Sequence, residues 1–147
     1  MANNYCQFSE EFVLKTDKQR EWVRDKKYLA CRLERNGCVD ADKMTITELL
    51  EASEDTEWCG EGFESHLDDG NWWIHSDEYG DPGAAAEAVR DFMEKFNVPG
   101  WFVINWCASC SKPRIGEFFG GAVAVSKDEI KYWNASDLAQ EFVKEHS

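Results

Sequence analysis

The sequence lacks any apolar run long enough to cross a membrane. Its longest apolar stretch, 101–108, contains Asn105 and is far shorter than the about 20 residues of a membrane-spanning helix. The first six residues include neither a basic segment nor an apolar one. We therefore expect no secretory signal and a cytoplasmic location.

Basic residues are scarce in the middle of the chain. The 147 residues carry 16 Lys or Arg against 29 Asp or Glu, a net charge of -13. Between residues 40 and 81, Lys43 is the one basic residue among 14 carboxylates. A field of this sign repels DNA, RNA and anionic membranes. Direct binding to nucleic acid or to a membrane is therefore the function that the sequence excludes most firmly.

Clustered metal ligands are also few. The six cysteines include one close pair, Cys107 and Cys110, and the three histidines are scattered. A structural zinc site usually needs two such pairs, or a cysteine pair with a histidine pair. We expect free thiols in a reducing compartment and no cofactor. A zinc site that uses Cys107 and Cys110 remains an alternative.

The chain nevertheless has enough apolar residues to fold. Hydrophobic residues make up 43% of the sequence and aromatic residues 14%, which is too much for a disordered chain. No long linker or internal repeat divides it, so we predict a single domain over 1–147. Apolar periodicity predicts strands at 7–14, 63–68, 71–77, 101–108, 117–126 and 130–133, with helices over 16–35, from Thr45, from Pro82 and after Asn134. This order predicts an α+β fold with a single mixed or antiparallel sheet and with helices packed mainly on one face.

Three local patterns give sharper predictions. Asp69-Gly70 is a two-residue turn signal, and the hairpin that it predicts places Leu67 opposite Trp72, His66 opposite Trp73 and Glu64 opposite His75. The continuous apolar run 101–108 predicts a strand covered on both faces. Gly120-Gly121 indicates a bulge or a close backbone approach.

Aromatic residues among carboxylates form the main candidate site. Tryptophans surrounded by charged residues are typical of protein interfaces. Carboxylates on alternate strand residues repeat at roughly 6–7 Å and could imitate phosphates. We interpret the chain as a non-enzymatic binding module for a basic groove on a nucleic-acid-handling protein. Its candidate binding residues are Trp58, Glu61, Glu64, Asp68, Asp69, Trp73, Asp77 and Glu78.

The segment from Trp106 to Gly121 is the most distinctive in the chain. Trp106, the run Cys110-Ser111-Lys112-Pro113-Arg114, the residues Gly116-Glu117-Phe118 and the pair Gly120-Gly121 resemble a stretch found in small acidic proteins of phages and bacteria. That group has no established activity, so the resemblance implies no catalytic residue. The resemblance transfers no function and implies only a phage or bacterial source. With that source, the acidic binding module would be a viral inhibitor of a host protein, such as a nuclease or a defence complex, in the host cytoplasm.

Two other functions stay open. Cys110 is followed by Lys112 and Arg114, which could lower its pKa, and His75 could serve as its base, so a small cysteine-dependent enzyme is an alternative. A plain acidic scaffold protein, whose charge only keeps it soluble, is another alternative. The oligomeric state does not follow from the sequence.

Overall fold

The computed structural model describes residues 4–54, 60–110 and 119–146. Six strands, five α-helices and one short 3-10 helix, Ala41–Lys43, lie in these ranges. The strands are β1 (Asn4–Phe12), β2 (Glu64–Asp68), β3 (Asn71–Ser76), β4 (Phe102–Cys110), β5 (Phe119–Val125) and β6 (Ile130–Asn134). The helices are α1 (Asp17–Arg24), α2 (Lys27–Arg35), α3 (Ile46–Ser53), α4 (Pro82–Lys95) and α5 (Ala135–His146).

The six strands form one sheet in the order β2-β3-β1-β4-β5-β6, and neighbouring strands are antiparallel. Helices α1 to α4 cover one face of it, so the predicted α+β class, with one sheet and helices mainly on one face, is confirmed. The apolar residues that point to these helices alternate along the strands, and they include Phe12, Trp72, Ile74, Ile104 and Val123. We call the other side of the sheet the open face.

The β2–β3 hairpin has the predicted register. Asp69 and Gly70 both have positive φ, 51° and 80°, which is the conformation that a two-residue type I′ turn requires. Glu64 lies opposite His75, His66 opposite Trp73 and Leu67 opposite Trp72. Asparagine, aspartate and glycine tolerate this conformation at low cost. The turn residues thus determine the register of the hairpin, and the register determines which side chains share a face.

The predicted helix over 16–35 is in fact two helices. Thr16 caps the first, as predicted, because its hydroxyl accepts a hydrogen bond from the Gln19 amide. Lys26 then adopts a left-handed conformation, with φ of 52°, and ends the helical path. An unbroken helix of this length would extend about 30 Å. The break instead lets α1 contact the β2–β3 hairpin while α2 packs on α3 and α4.

Helix α4 begins as the sequence predicts. Asp81 Oδ1 accepts hydrogen bonds from the amides of Gly83 and Ala84, and Pro82 occupies the first helical position. A run of buried alanines lets this helix approach the sheet, while Phe92 packs against Trp72 and Phe12. Burial of each large apolar side chain stabilises the fold by about 1.5–3 kcal/mol.

The predicted close approach at the paired glycines is confirmed. A Cβ at Gly121 would lie 2.8 Å from Trp106 Cζ2 and would overlap the Trp133 carbonyl oxygen. The β4–β5 and β5–β6 registers run without interruption through Gly121, so there is no bulge there. Residues 117 and 118 of the predicted strand lie outside the described residues.

One prediction about burial is wrong, and one helix has no buried residue. Strand β4 is not covered on both faces, because Val103, Asn105 and Cys107 are exposed on the open face. The last helix, α5, follows Asn134 as predicted, but none of its residues is buried. Apolar composition alone does not reveal whether a second layer exists to cover a sheet face. In the ranges that the structure describes, no helix is both long and apolar enough to cross a membrane.

Candidate functional site

The open face of the hairpin and of β1 brings several predicted site residues together. The strand registers place Trp73 between His66 of β2 and Glu11 of β1, and His75 between Glu64 and Ser9. Since side chains in a strand alternate between faces, these residues and Asp68 all lie on the open side of the sheet. We call this group the hairpin face: Ser9, Glu11, Glu64, His66, Asp68, Trp73 and His75.

The centre of the hairpin face is an ordered aromatic stack. The Trp73 and His75 rings are stacked with centroids 3.7 Å apart, and the His66 ring lies 5.2 Å from that of His75. Trp73 Nε1 donates a hydrogen bond of 2.9 Å to Ser9 Oγ. The Trp73 side chain is held on both its ring face and its polar edge, yet it remains 38% exposed. It therefore presents a pre-oriented apolar surface at little conformational cost on binding.

His75 links this stack to the acidic residues. Its Nδ1 lies 3.3 Å from Glu64 Oε2, while its Nε2 is buried and makes no hydrogen bond with the described residues. The Glu64 carboxylate itself is largely exposed, because β2 is an edge strand. The arrangement orients a carboxylate and an imidazole side by side beneath Trp73.

Exposed carboxylates lie at both ends of the hairpin. Asp68 and Asp69 are at the turn, while Asp77 and Glu78 follow β3 at its other end. Backbone hydrogen bonds hold the second pair in place: Gln7 Nε2 donates to the Asp77 carbonyl at 2.8 Å, and the Cys6 amide donates to the Glu78 carbonyl. None of these four carboxylates has a Lys or Arg of the described chain within 4.0 Å.

Two clefts flank the segment 79–82, which connects the hairpin to α4. One has a volume of about 660 Å³ and is bordered by Glu64, Ser76 and Tyr79. The other, which we call the aromatic cleft, has a volume of about 600 Å³, and its lining includes the aromatic residues Tyr5, Tyr79, Trp106 and Tyr132. Among the described residues that line the two clefts, the carboxylates Glu64 and Asp81 are present but no Lys or Arg is.

The Tyr132 phenol reports on the electrostatics of the aromatic cleft. Burial raises its pKa and the carboxylates Glu87 and Asp81 raise it further, while Arg90 partly opposes them. Both effects disfavour an additional negative charge at this place. A cationic group would meet aromatic rings and carboxylates together, which is the environment that favours cation–π contact.

Glu61 does not belong to the acidic surface, contrary to the prediction. Its side chain is 12% exposed and forms an ion pair with Lys26. It also accepts a hydrogen bond of 2.8 Å from the Tyr28 hydroxyl, while its backbone carbonyl accepts one of 3.0 Å from Arg32. Lys26 of the N-terminal third therefore neutralises this carboxylate, Arg32 holds its backbone, and its role is structural.

The strand registers do not bring Cys110 and His75 together. Cys110 pairs with Asn4, and His75 pairs with Ser9, which is five residues further along β1 and roughly 16 Å away. His75 therefore cannot serve as the base for Cys110, as the cysteine-enzyme alternative requires. Lys112, Arg114 and the candidate binding residue Trp58 lie outside the described residues.

The described side chains form no site for zinc. Cys107 lies in β4, whereas the side chain of Cys110 is outside what the structure describes. Across the described ranges, no group of three or more His, Cys, Asp or Glu side chains is arranged to hold a metal ion.

The partly buried cysteines have poorly reactive thiols. Burial and the neighbouring Asp91 carboxylate raise the pKa of Cys31 from 9.0 to about 11. Burial, together with Cys107 and Asp81, also raises the pKa of Cys6. The thiolate is the nucleophilic form, so neither group is activated at neutral pH.

Several residues of the site do not follow from the sequence motifs. Ser9 and Glu11 belong to β1, whose alternation of Phe8, Phe12 and polar residues indicates a half-buried strand but does not reveal its neighbour. Trp106 and Tyr132 reach the aromatic cleft from β4 and β6. Comparison of the chain with family models, with curated proteins and with solved structures gives no match.

Proposed function

We propose that this protein is a non-enzymatic, acidic binding module whose hairpin face docks on the basic groove of a nucleic-acid-handling protein. The observation that carries the proposal is the exposed Trp73 ring, stacked on His75 and flanked at both ends of the hairpin by carboxylates that have no Lys or Arg of the described chain within 4.0 Å. Exposed aromatic anchors of this kind supply most of the affinity of protein interfaces.

The carboxylates at the two ends of the hairpin give the charge pattern of a nucleic-acid mimic. Asp68 and Asp69 are separated from Asp77 and Glu78 by the six residues of β3, which is roughly 20 Å. Such fixed negative charges accelerate association with a basic groove and weaken as salt is added. Trp73 then slows dissociation, because its apolar surface is buried in the complex.

The aromatic cleft offers a place for one cationic side chain of the partner. Tyr5, Tyr79, Trp106 and Tyr132 line it, and the Tyr5 and Tyr79 rings are nearly parallel, with an angle of 17° between them. Arginine and lysine bind aromatic faces with about 0.5–2 kcal/mol of cation–π stabilisation. The cleft includes Tyr79, which directly follows the acidic pair Asp77 and Glu78, so a basic partner has a second complementary contact beside that pair.

The identity of the partner as a host nuclease or defence complex rests on the resemblance of 106–121 to phage and bacterial proteins. An inhibitor of this type would act in the host cytoplasm and would exclude DNA or RNA from its target. Binding to the partner would then be competitive with nucleic acid, because both occupy the same basic groove.

Capture from host lysate tests the proposal. The wild-type chain is compared with a variant in which Asp68, Asp69, Asp77 and Glu78 are all changed to Lys. A matched control changes four exposed carboxylates elsewhere to Lys, so that the net charge is the same in both variants. These four are Glu34, Glu51, Glu94 and Asp128. We expect the wild type and the control to capture a basic protein at low salt, and duplex DNA to displace it.

The outcomes are distinguishable. Loss of capture in the hairpin variant alone supports the hairpin face as the binding surface. Equal loss in both variants indicates non-specific charge attraction. A plain acidic scaffold would capture no partner that DNA displaces, and an enzyme would show an activity that depends on Cys110; either result would overturn the proposal.

A further inference from the structure

Helix α5 has an apolar stripe that nothing in the described chain covers. Ala135, Leu138, Ala139, Phe142 and Val143 follow the spacing i, i+3, i+4, i+7, i+8, which places them on one side of the helix. Leu138 is 48% exposed, Phe142 61% and Val143 63%. The helix packs chiefly near β5 and β6, and the stripe stays outside the core. An amphipathic helix in this state indicates an interface.

The stripe is continuous with an open sheet edge. Strand β6 is the last strand of the sheet, and α5 follows it directly at Ala135. Tyr132 and Trp133 of β6 are both exposed. Within the described residues, the outer backbone groups of β6 pair with no strand. Exposed edges with large apolar side chains tend to pair with another chain.

The charge of this edge differs from that of the rest of the molecule. β6 and α5 together carry two lysines, Lys131 and Lys144, against three carboxylates, Asp137, Glu141 and Glu145. The whole chain carries a net charge of -13. Two copies therefore repel each other strongly through most of their surface but little through this edge. It is not acidic enough to attract a basic partner either.

We propose that β6 and α5 form an interface with a second copy of this chain. An antiparallel edge strand is self-complementary under a two-fold axis, so β6 of each copy can pair with β6 of the other. The α5 stripes then lie at the two ends of the joined strands, where they cover the apolar side chains of β6.

The exposed apolar side chains supply about half of the area of a standard dimer interface. Tyr132, Trp133, Leu138, Phe142 and Val143 are between 37% and 63% exposed and together provide roughly 400 Å² per copy. A stable interface buries about 800 Å² per partner, so the strand edge and flanking residues must supply the rest. Interfaces of standard size have dissociation constants from about 1 μM to about 1 pM, and we expect the weak end of that range, about 1 μM.

The dimer would leave the hairpin face free, whereas Tyr132 of the aromatic cleft lies on the β6 edge that the dimer covers. The hairpin face lies around β2 and β3, at the opposite edge of the sheet from β6. Each dimer would present two hairpin faces, which raises the avidity for a partner with two basic grooves. The dimer does not rest on the proposed function, and either one can fail without the other.

Sedimentation equilibrium of the purified chain at several concentrations tests this inference. We expect a mass that rises toward twice the 16.9 kDa of one chain. The double variant Leu138→Asp with Phe142→Asp should remain monomeric. A control with Val13→Asp and Val39→Asp changes two residues outside this edge that are at least as exposed, and it should dimerise normally. Circular dichroism of each variant verifies that it is folded.

Salt provides a second readout. Added salt screens the repulsion between two acidic copies, so dimerisation should strengthen, whereas binding of a basic partner should weaken. Trp133→Glu, which alters β6 without touching α5, should also give a monomer. A wild-type chain that stays monomeric well above 1 μM, or a dimer that both the α5 and the β6 variants leave intact, would overturn the inference.

Discussion

The indole ring of Trp73 and the imidazole ring of His75 lie face to face, with centroids 3.7 Å apart and planes inclined by 19°. One residue separates them on β3, so both side chains lie on the open face. Ser9 of β1 and Glu64 of β2 hold their polar edges from either side. The stack therefore joins three strands into one ordered surface.

Replacement of Trp73 should separate binding from stability. Trp73→Ala removes a partly exposed ring, so we expect a loss of stability of about 1 kcal/mol or less. Affinity for a captured partner should fall roughly 30-fold or more, since central tryptophans contribute about 2 kcal/mol or more to interfaces. Titration calorimetry and urea unfolding measure the two effects. The exposed Trp101, changed to Ala, is the control, and an equal loss of affinity in both variants would contradict the assignment.

Replacement of Glu61, in contrast, should lower the stability of the fold. Glu61→Ala leaves the Lys26 ammonium and the Tyr28 hydroxyl without their shared acceptor in a half-buried position. We expect the free energy of unfolding to fall by about 2–3 kcal/mol, because an unpaired buried polar group is costly. Asp68→Asn, on the exposed turn, should change it by less than about 0.5 kcal/mol. Urea titration measures both variants. A Glu61→Ala protein as stable as the wild type would contradict the structural role of Glu61.

Asp91 should give stability a dependence on acidic pH. Burial raises the pKa of its carboxyl above the ordinary value, although the hydrogen bond from Arg35 partly opposes this. The folded state therefore binds the proton more tightly than the unfolded state. The resulting stabilisation is complete below about pH 3.9 and is lost as the pH rises through the raised pKa.

Asp91→Asn should remove this dependence. We expect the stability of the variant relative to the wild type to increase as the pH rises above about 4 through the raised pKa of Asp91, and to change little once that carboxyl is ionised. Arg35→Met should have the reverse effect, because it leaves the charged carboxylate buried without its ion pair. Urea unfolding at several pH values measures both series. A difference between Asp91→Asn and the wild type that is the same at every pH would show that Asp91 does not titrate in this way.

Cys31 should react slowly with thiol reagents. A pKa of about 11 in place of 9.0 lowers its thiolate fraction about 100-fold at neutral pH. Its labelling rate should rise about tenfold for each pH unit up to that pKa, as the thiolate fraction does. Peptide mass spectrometry after timed alkylation gives the rates, with the exposed Cys107 as the internal reference. Rates for Cys31 and Cys107 that match at pH 7 would contradict the burial of the thiol.

Local patterns predicted the hairpin and α4 correctly because their determinants are close together in the chain. Asp69-Gly70 establishes the turn and hence the register, and Asp81-Pro82 begins the helix, whatever lies around them. The same applies to Thr45, whose hydroxyl and backbone form a capping box with Glu48. These interactions span only a few residues, so the amino-acid order is sufficient to specify them.

The composition of the site depends instead on contacts between distant segments. Glu61 looks like the other carboxylates of its acidic region, and its burial follows from Lys26 and Tyr28, which are more than 30 residues earlier in the chain. Ser9 and Glu11 join the hairpin face because β3 pairs with β1. An apolar stripe likewise indicates that α5 needs a partner but does not show that the sheet fails to provide one. Periodicity therefore specifies which side of an element is apolar, whereas strand order and layer packing establish which of those sides remain exposed to solvent.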